Sequence, residues 1–304
     1  MELAQFDWTL YWFMFPVAMC VATTATFSGI AGSAIFAPIF LIVFPMMGPE
    51  YQFPSVAAAI GVALLTATFG LSSGVVGYHR RRLIDFGSAI PFILVSVPIG
   101  ILGAIMLVVL KDYQELLRVS YALLMVVLAV ILFGRGTFGA NLSSSATEEK
   151  NQVLRDIREI IERDGTVYRF ATPRQGKGAF ATGIGAFLTG LLGVGIGEVV
   201  MPQLALRNRV PIQVAAATSL FVVVLTVASA SFTQVSALVA AGGFSAVPWN
   251  VVIYTVPAVI IGGQIGPRLQ GRVPQRVVEI GLGCLFTVIG VAMAIVGFRN
   301  SLFG

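Results

Sequence analysis

Hydrophobic residues fill long stretches of this chain that contain no acidic or basic residue. These stretches are 8–48, 53–78, 86–110, 119–134, 178–194, 210–267 and 280–298. A helix needs about 20 residues to cross a bilayer, so several stretches predict one span and the longest predict two elements. We therefore expect an all-α integral membrane protein with several crossings.

Composition supports this prediction and indicates which binding partners to expect. Of the 304 residues, 57% are hydrophobic and 11% charged, which is outside the range of soluble domains. No basic region precedes the first apolar stretch, so we expect no cleaved signal peptide. The net charge of +5 arises in loops between helices and reports orientation, not nucleic-acid binding. The expected partner is the lipid bilayer; a homodimer is compatible with the sequence.

Similar patterns recur in the two halves of the chain. In the first pair of matching segments, Gly and Pro are nine residues apart both times. The matches are 29–38 with 193–202, 54–59 with 211–217 and 97–103 with 256–262. They predict a tandem duplication, with a first membrane repeat at 1–134, a linker at 135–177 and a second membrane repeat at 178–304.

The linker contains apolar residues at helical spacing beside several arginines. This spacing predicts an amphipathic helix on the membrane surface, and a solvated linker helix explains it equally well. The apolar residues are Val153, Leu154, Ile157, Ile160 and Ile161, and the arginines are Arg155, Arg158 and Arg163.

Glycine-rich breaks followed by proline, at matching places in two halves, are typical of discontinuous helices in transporters. Residues 178–192 would span about 22 Å and residues 197–206 about 15 Å, so neither crosses a core of about 30 Å alone. The two segments therefore form either one kinked helix or a helical hairpin.

The distribution of positive charge decides between these alternatives. If both broken segments are hairpins, 16 of the 19 Lys and Arg residues lie on one side of the membrane, against 12 if every segment crosses. The positive-inside rule favours hairpins. We thus predict two inverted repeats, each a re-entrant hairpin followed by three transmembrane helices, with the linker cytoplasmic and both termini periplasmic. Residues 10–28 are long enough to cross alone, which leaves a full span open there.

Two re-entrant hairpins would bring a first tip, residues 28–33, and a second tip, residues 193–197, together near the bilayer midplane. Free N–H groups and helix dipoles pointing inward favour an anion there. Alternatively, the small residues only allow close packing and the hydroxyls bond their own backbone. The candidate binding residues are Ser28, Gly29, Gly32, Ser33, Gly193, Gly195, Gly197, Thr66, Thr218 and Ser219.

Glu198 is an acidic residue within an apolar stretch, beside the second tip. An intramembrane carboxylate is a functional candidate, and we predict that it could carry a proton coupled to transport. The alternative is structural, because a carboxylate in the first turn of a helix is stabilised by the helix dipole.

These motifs resemble those of the TauE/SafE family of sulfite and organosulfonate exporters. The resemblance rests on the duplicated segments 29–38 and 193–202, Ala-Ala-Ala-Thr-Ser at 215–219, a basic turn followed by Asp85, and the sequence at 257–266. It covers nearly all of the chain except the linker. It implies a bacterial inner-membrane permease that exports a small sulfur-containing anion such as sulfite, sulfoacetate or thiosulfate.

The preferred interpretation is a secondary transporter that works by alternating access around the paired tips. Three rivals remain: a proton-coupled importer of thiosulfate or sulfate, an anion channel of the same fold, and a membrane scaffold that acts through the linker. No catalytic triad, phosphate-binding loop or metal-ligand pattern is present in the sequence, so we expect neither an enzyme nor a cofactor.

Overall fold

The computed structural model describes residues 7–138, 157–172, 178–270 and most of 280–291. The described chain is mostly helical. Its helices are α1 Met14–Ser28, α2 Ser33–Pro38, α3 Phe44–Met47, α4 Val56–Arg81, α5 Phe86–Val109, α6 Gln114–Phe138, α7 Gly178–Leu192, α8 Ile196–Pro202, α9 Ile212–Gly242 and α10 Trp249–Leu269. Among the described helices, α4, α5, α9 and α10 are long and apolar enough to cross a membrane. The protein is therefore a multi-pass membrane protein.

The first broken segment is a helical hairpin. Helix α1 ends at Gly29, whose φ of +73° lies in the left-handed region that favours glycine. The chain then resumes as Ser33–Met47, and the rings of Tyr11 and Phe44 stack 5.2 Å apart at its open end. A continuous helix would separate these two residues by roughly 50 Å. The chain must therefore turn back at the first tip.

The second broken segment also turns back. Gly193 and Gly195 have φ values of +79° and +139°, and they separate α7 from α8. A Cβ added at Gly185, in the middle of α7, would lie 3.0 Å from both the Gly195 carbonyl and a Val199 methyl group. Because Val199 follows Gly185 by 14 residues, this contact requires α8 to fold back along α7.

A proline is followed by a wide helical turn in both helical hairpins. Pro38 closes α2 before the π-helical turn Ile39–Val43, and Pro202 closes α8 before the π-helical turn Gln203–Arg207. Proline lacks an N–H and its ring crowds the carbonyl four residues earlier. In both hairpins the α-helix ends at this proline and the chain continues as a π-helical turn.

Helices from the two halves of the chain interlock. Helix α1 packs against α10, and α7 packs against α5. Helices α4 and α9 pack against each other, and each also contacts the α10 or α5 of the other half. The two short returning helices lie on this central pair, α2 on α4 and α8 on α9. The central pair thus supports both tips.

The chain divides into two compact units. One comprises Met1–Lys111 and Ile157–Gln270, and it contains both helical hairpins and the four long apolar helices. The other comprises Asp112–Asp156 and Gly271–Gly304, and it includes α6. These units group residues by packing, so the repeat boundaries at 134 and 178 remain predictions.

Part of the linker forms a β-hairpin. Strand β1, Ile157–Ile161, pairs antiparallel with β2, Val167–Ala171. Gly165 has a φ of +91° in the connecting turn, where the Asp164 carboxylate accepts a hydrogen bond of 2.9 Å from the Thr166 N–H. That bond lowers the pKa of Asp164. The architecture is therefore not purely α-helical.

The amphipathic helix predicted in the linker is wrong over its described part. Ile157, Ile160 and Ile161 lie in β1, where exposed and less exposed residues alternate. β-branched residues fit a pleated strand well and lose rotamer freedom in a helix. Val153, Leu154 and Arg155, on which the prediction also rested, lie outside the described residues.

Candidate functional site

The two tips meet in the interior of the protein. The Ser33 hydroxyl, at the start of α2, donates a hydrogen bond to the backbone carbonyl of Gly193. Ser33 is fully buried, and a Cβ added at Gly193 would lie 3.6 Å from the Ser33 Cβ. The Gly-rich segments predicted as one site are therefore adjacent in space.

Backbone packs directly on backbone where the tips cross. A Cβ added at Gly197 would lie 2.9 Å from the Ala31 nitrogen and 3.1 Å from the Gly29 carbonyl oxygen. Real Cβ atoms do not approach backbone that closely, so a side chain at residue 197 would force the tips apart. Gly197 is therefore explained by close packing, and its N–H lies at the start of a helix that faces the first tip.

Helices α4 and α9 form the walls around the crossing. A Cβ at Gly29 would lie 3.1 Å from the Ser219 hydroxyl on α9, and one at Gly193 would lie 3.7 Å from an Ile60 methyl group on α4. Ser219 is fully buried and its hydroxyl donates 3.0 Å to the Ala216 carbonyl. The structure thus brings together Gly29, Ser33, Gly193, Gly197 and Ser219.

The other hydroxyl candidates contact different parts of the protein, and Gly32 packs within its own half. Their contacts are Ser28 Oγ to the Thr24 carbonyl at 2.7 Å, Gly32 against Ala25 and Ala67, Thr66 Oγ1 to Thr255 Oγ1 at 3.0 Å, and Thr218 Oγ1 to the Asp85 N–H at 3.0 Å. The hydroxyl of Thr66 thus faces α10, and that of Thr218 faces the turn between α4 and α5.

Glu198 caps the N-terminus of α8. Its side chain is 5% exposed, and Oε2 accepts a hydrogen bond of 3.1 Å from the Gly195 N–H. The Thr189 hydroxyl accepts a second bond, of 2.7 Å, from the Ile196 N–H. Both side chains satisfy N–H groups that the first turn of a helix leaves without intrahelical partners. Gly195 and Glu198 are therefore held together in the first turn of α8, the position at which the structural alternative places the carboxylate.

Several residues around the tips were not predicted from the sequence. Thr189 carries a hydroxyl in an apolar helix, seven residues before Ile196. That isolated hydroxyl close to the second tip was the signal that the sequence offered for a cap. Ile60 and Ala216 are apolar wall residues, and nothing in the sequence distinguishes them from other packing residues. Segments 28–38 and 193–202 contain no Lys or Arg, and their one charged residue is Glu198.

Comparisons with known proteins agree with the fold. A family described as "Sulfite exporter TauE/SafE" matches residues 14–293. A curated relative, the "Probable membrane transporter protein YunE" of Bacillus subtilis (strain 168), is 23% identical over 282 residues, which cover 90% of this chain and 96% of the relative. No solved structure matches this chain. The family match confirms the resemblance seen in the sequence motifs.

Proposed function

We propose that this chain, which belongs to the TauE/SafE family of sulfite exporters, exports a small sulfur-containing anion such as sulfite, sulfoacetate or thiosulfate. The family is one of membrane transporters and not of enzymes, and the similar Bacillus protein is named a probable membrane transporter. The finer assignment of substrate, direction and mechanism to this chain is our proposal.

The observation that carries the proposal is the meeting of the tips at the Ser33–Gly193 hydrogen bond. Each tip precedes a helical segment, Ser33–Met47 in the first half and 196–207 in the second. The N-terminal ends of both segments carry partial positive charge. In the second segment, Glu198 and Thr189 bind the N–H groups of Gly195 and Ile196, so the remaining N–H groups of the first turn are the ones proposed to face an anion. A small anion between the tips would bind these groups and the hydroxyls of Ser33 and Ser219.

The proposed topology follows from charge and length. We place both helical hairpins as re-entrant segments in the inner membrane, the linker 135–177 in the cytoplasm and both termini in the periplasm, because 16 of 19 Lys and Arg then lie inside. Helix α1 has 15 residues, too few to span about 30 Å. The second repeat is then inverted relative to the first.

Alternating access is the mechanism that fits this packing. Ser33 and Ser219 are fully buried where the tips cross, so an anion reaches them only when the tips separate. Interlocked halves can separate toward one side of the membrane at a time. A cell interior at negative potential expels an anion with about 2.3 kcal/mol per charge per 100 mV, so export needs no added energy source.

Gly197→Ala tests the proposed site. The added methyl group would collide with the Ala31 nitrogen and the Gly29 carbonyl, so we expect loss of sulfite movement in proteoliposomes. Gly281→Ala is the matched control, because a Cβ at Gly281 has nothing within 4 Å. Retained transport by Gly197→Ala would rule out the tip crossing as the site. A wild-type protein that moves none of the three anions would refute the proposed function itself.

The buried carboxylate of Glu198 favours one alternative, a proton-coupled importer of thiosulfate or sulfate. Under that alternative, Glu198→Gln abolishes anion uptake driven by a pH gradient. Under export along the membrane potential, the variant keeps its transport because glutamine still accepts the Gly195 N–H bond through its carbonyl oxygen. The same vesicles, with and without an imposed pH gradient, separate the two.

A further inference from the structure

The β-hairpin is attached to the membrane helices by two ion pairs. Arg158 Nη1 lies 2.8 Å from Asp85 Oδ1, and Arg81 Nη2 lies 2.5 Å from Glu162 Oε1. Each pair joins the β-hairpin to an end of a long helix, because Arg81 is in the last turn of α4 and Asp85 caps α5. Both carboxylates are buried, and a buried carboxylate that loses its cation is strongly destabilised.

Glu162 is surrounded by donors from the β-hairpin and from α4. Arg81 Nε donates to Oε1 at 2.8 Å, and the Tyr168 hydroxyl donates to Oε2 at 3.0 Å. Burial and the bond to Glu162 raise the pKa of Tyr168 to about 12, so the hydroxyl remains a donor at cellular pH. The Arg163 N–H adds a bond of 3.1 Å to the Arg81 carbonyl. The β-hairpin is therefore fixed on the end of α4.

The same end of α4 binds the second half of the chain and the first tip. Arg81 Nη1 donates to the Pro267 carbonyl in α10. One turn earlier, the fully buried Tyr78 hydroxyl lies 3.0 Å from the Thr26 carbonyl, in the last turn of α1 before Gly29. The end of α4 that the β-hairpin binds is therefore also bonded to α10 and to the end of α1.

The second ion pair reaches the other wall of the crossing. The Asp85 N–H donates 3.0 Å to the Thr218 hydroxyl on α9. The next residue, Ser219, has its hydroxyl against Gly29. The Arg158–Asp85 pair is therefore separated from the proposed binding site by a single hydrogen bond and one peptide unit.

We propose that the β-hairpin is a strap that closes the cytoplasmic route to the tips, and that release of the Arg158–Asp85 and Arg81–Glu162 ion pairs opens it. The inference rests on the proposed function for its topology, in which the linker is cytoplasmic. The strap binds Arg81 and Asp85, which flank the turn between α4 and α5, and these two residues bond to α10 and α9 of the second half. This turn must move away from α9 and α10 before an anion can leave the cytoplasm for the tips.

A buried reporter cysteine tests the strap. Ser219→Cys, in a background with Cys20→Ser and Cys284→Ser, is labelled in inside-out vesicles with a membrane-impermeant maleimide. The strap variant, Arg158→Gln with Glu162→Gln, replaces both charged side chains by neutral ones and so removes both ion pairs. We expect its labelling rate to rise about tenfold or more as the open population increases.

The β-hairpin supplies its own matched control. Glu159 and Arg169 form an ion pair of 2.5 Å between exposed side chains, and they lie on the face opposite Arg158 and Glu162 because strand residues alternate. Glu159→Gln with Arg169→Gln should leave labelling unchanged. Arg158→Lys with Glu162→Asp keeps both charges and should label more slowly than the strap variant.

Each result of the labelling experiment either supports or overturns the proposed strap. An unchanged rate in the strap variant, or an equal rise in the control, overturns the strap. If the double variant aggregates in size-exclusion chromatography, Arg158→Gln alone is measured, because Asp85 still caps α5 through the Ser88 N–H. A rise only from the periplasmic face overturns the cytoplasmic assignment. Labelling needs no transport, so strap-dependent labelling of a protein that moves none of the three anions would refute the proposed function while supporting the strap.

Discussion

The two helical hairpins share a backbone plan but are stabilised at opposite ends. The first is held at its open end, where aromatic rings pack between the start of α1 and the segment after α2. Phe44 is fully buried among them. The cluster comprises Tyr11, Phe13, Phe40, Phe44, Tyr51 and Phe53.

The second helical hairpin is held at its tip. Glu198 and Thr189 bind the N–H groups at the start of α8, whereas no side chain caps α2. Its open end carries polar contacts in place of rings: Gln203 Nε2 donates 3.3 Å to the Thr182 hydroxyl, and Asn208 Nδ2 donates 2.9 Å to the Gln203 carbonyl. The comparison teaches that buried aromatic rings hold the open end of the first hairpin. In the second hairpin, side chains bind the N–H groups at the tip.

The largest effect should follow from opening the aromatic cluster. Phe44→Ala removes a fully buried ring, and we expect the free energy of unfolding in detergent to fall by about 3–5 kcal/mol. Phe180→Ala, in the second helical hairpin, removes a ring that is 78% exposed and should change stability little. Similar thermal melting curves for the two variants would contradict an anchor at the first open end.

An intermediate effect should follow from removing a cap at the second tip. Thr189→Val keeps the side-chain volume but leaves the buried Ile196 N–H without its acceptor, at a cost of about 1–3 kcal/mol. In Thr233→Val the lost hydroxyl binds only the Ser229 carbonyl of its own helix. Denaturant unfolding gives the free energy of unfolding of both variants. An equal loss of stability in the two would show that the Thr189 cap adds no stability.

The smallest effect concerns the bond that joins the two tips. Ser33→Ala removes the donor to the Gly193 carbonyl, and we expect a loss of about 0.5–1.5 kcal/mol. The control Ser229→Ala removes a hydroxyl that binds the Thr226 carbonyl of its own helix. If Ser33→Ala is less destabilising than the control, the bond between the tips adds no stability. Each hairpin is then stabilised by its own contacts, the first at its open end and the second at its tip.

The sequence predicted the broken helices well because glycine and proline act locally. Helix α7 ends at the predicted residue 192, and α1 ends at Ser28, directly before a glycine whose backbone is left-handed. The same signals placed Ser33 and Gly193 at the tips. Such positions depend on backbone conformation within a few residues, which a single sequence can show.

Contacts between distant residues could not be predicted in the same way. The residues at 157–161, three isoleucines with one arginine and one glutamate, suit a helix or a strand. The choice depends on partners such as Asp85 that are about 70 residues away in the chain. A lone hydroxyl does not reveal which way its helix is turned, so Thr66 and Thr218 were grouped with the tips. The aromatic cluster joins residues that the sequence places in separate segments.

The interlocked packing of the halves also constrains how the protein is made. Helix α1 packs mainly on α10, which begins 235 residues later in the chain. At a synthesis rate of about 5–20 residues per second, α1 waits for its partner for roughly 10–50 s. During that interval the face of α1 that packs on α10 lacks its partner helix, so the first half reaches its final packing only after most of the second half has been made.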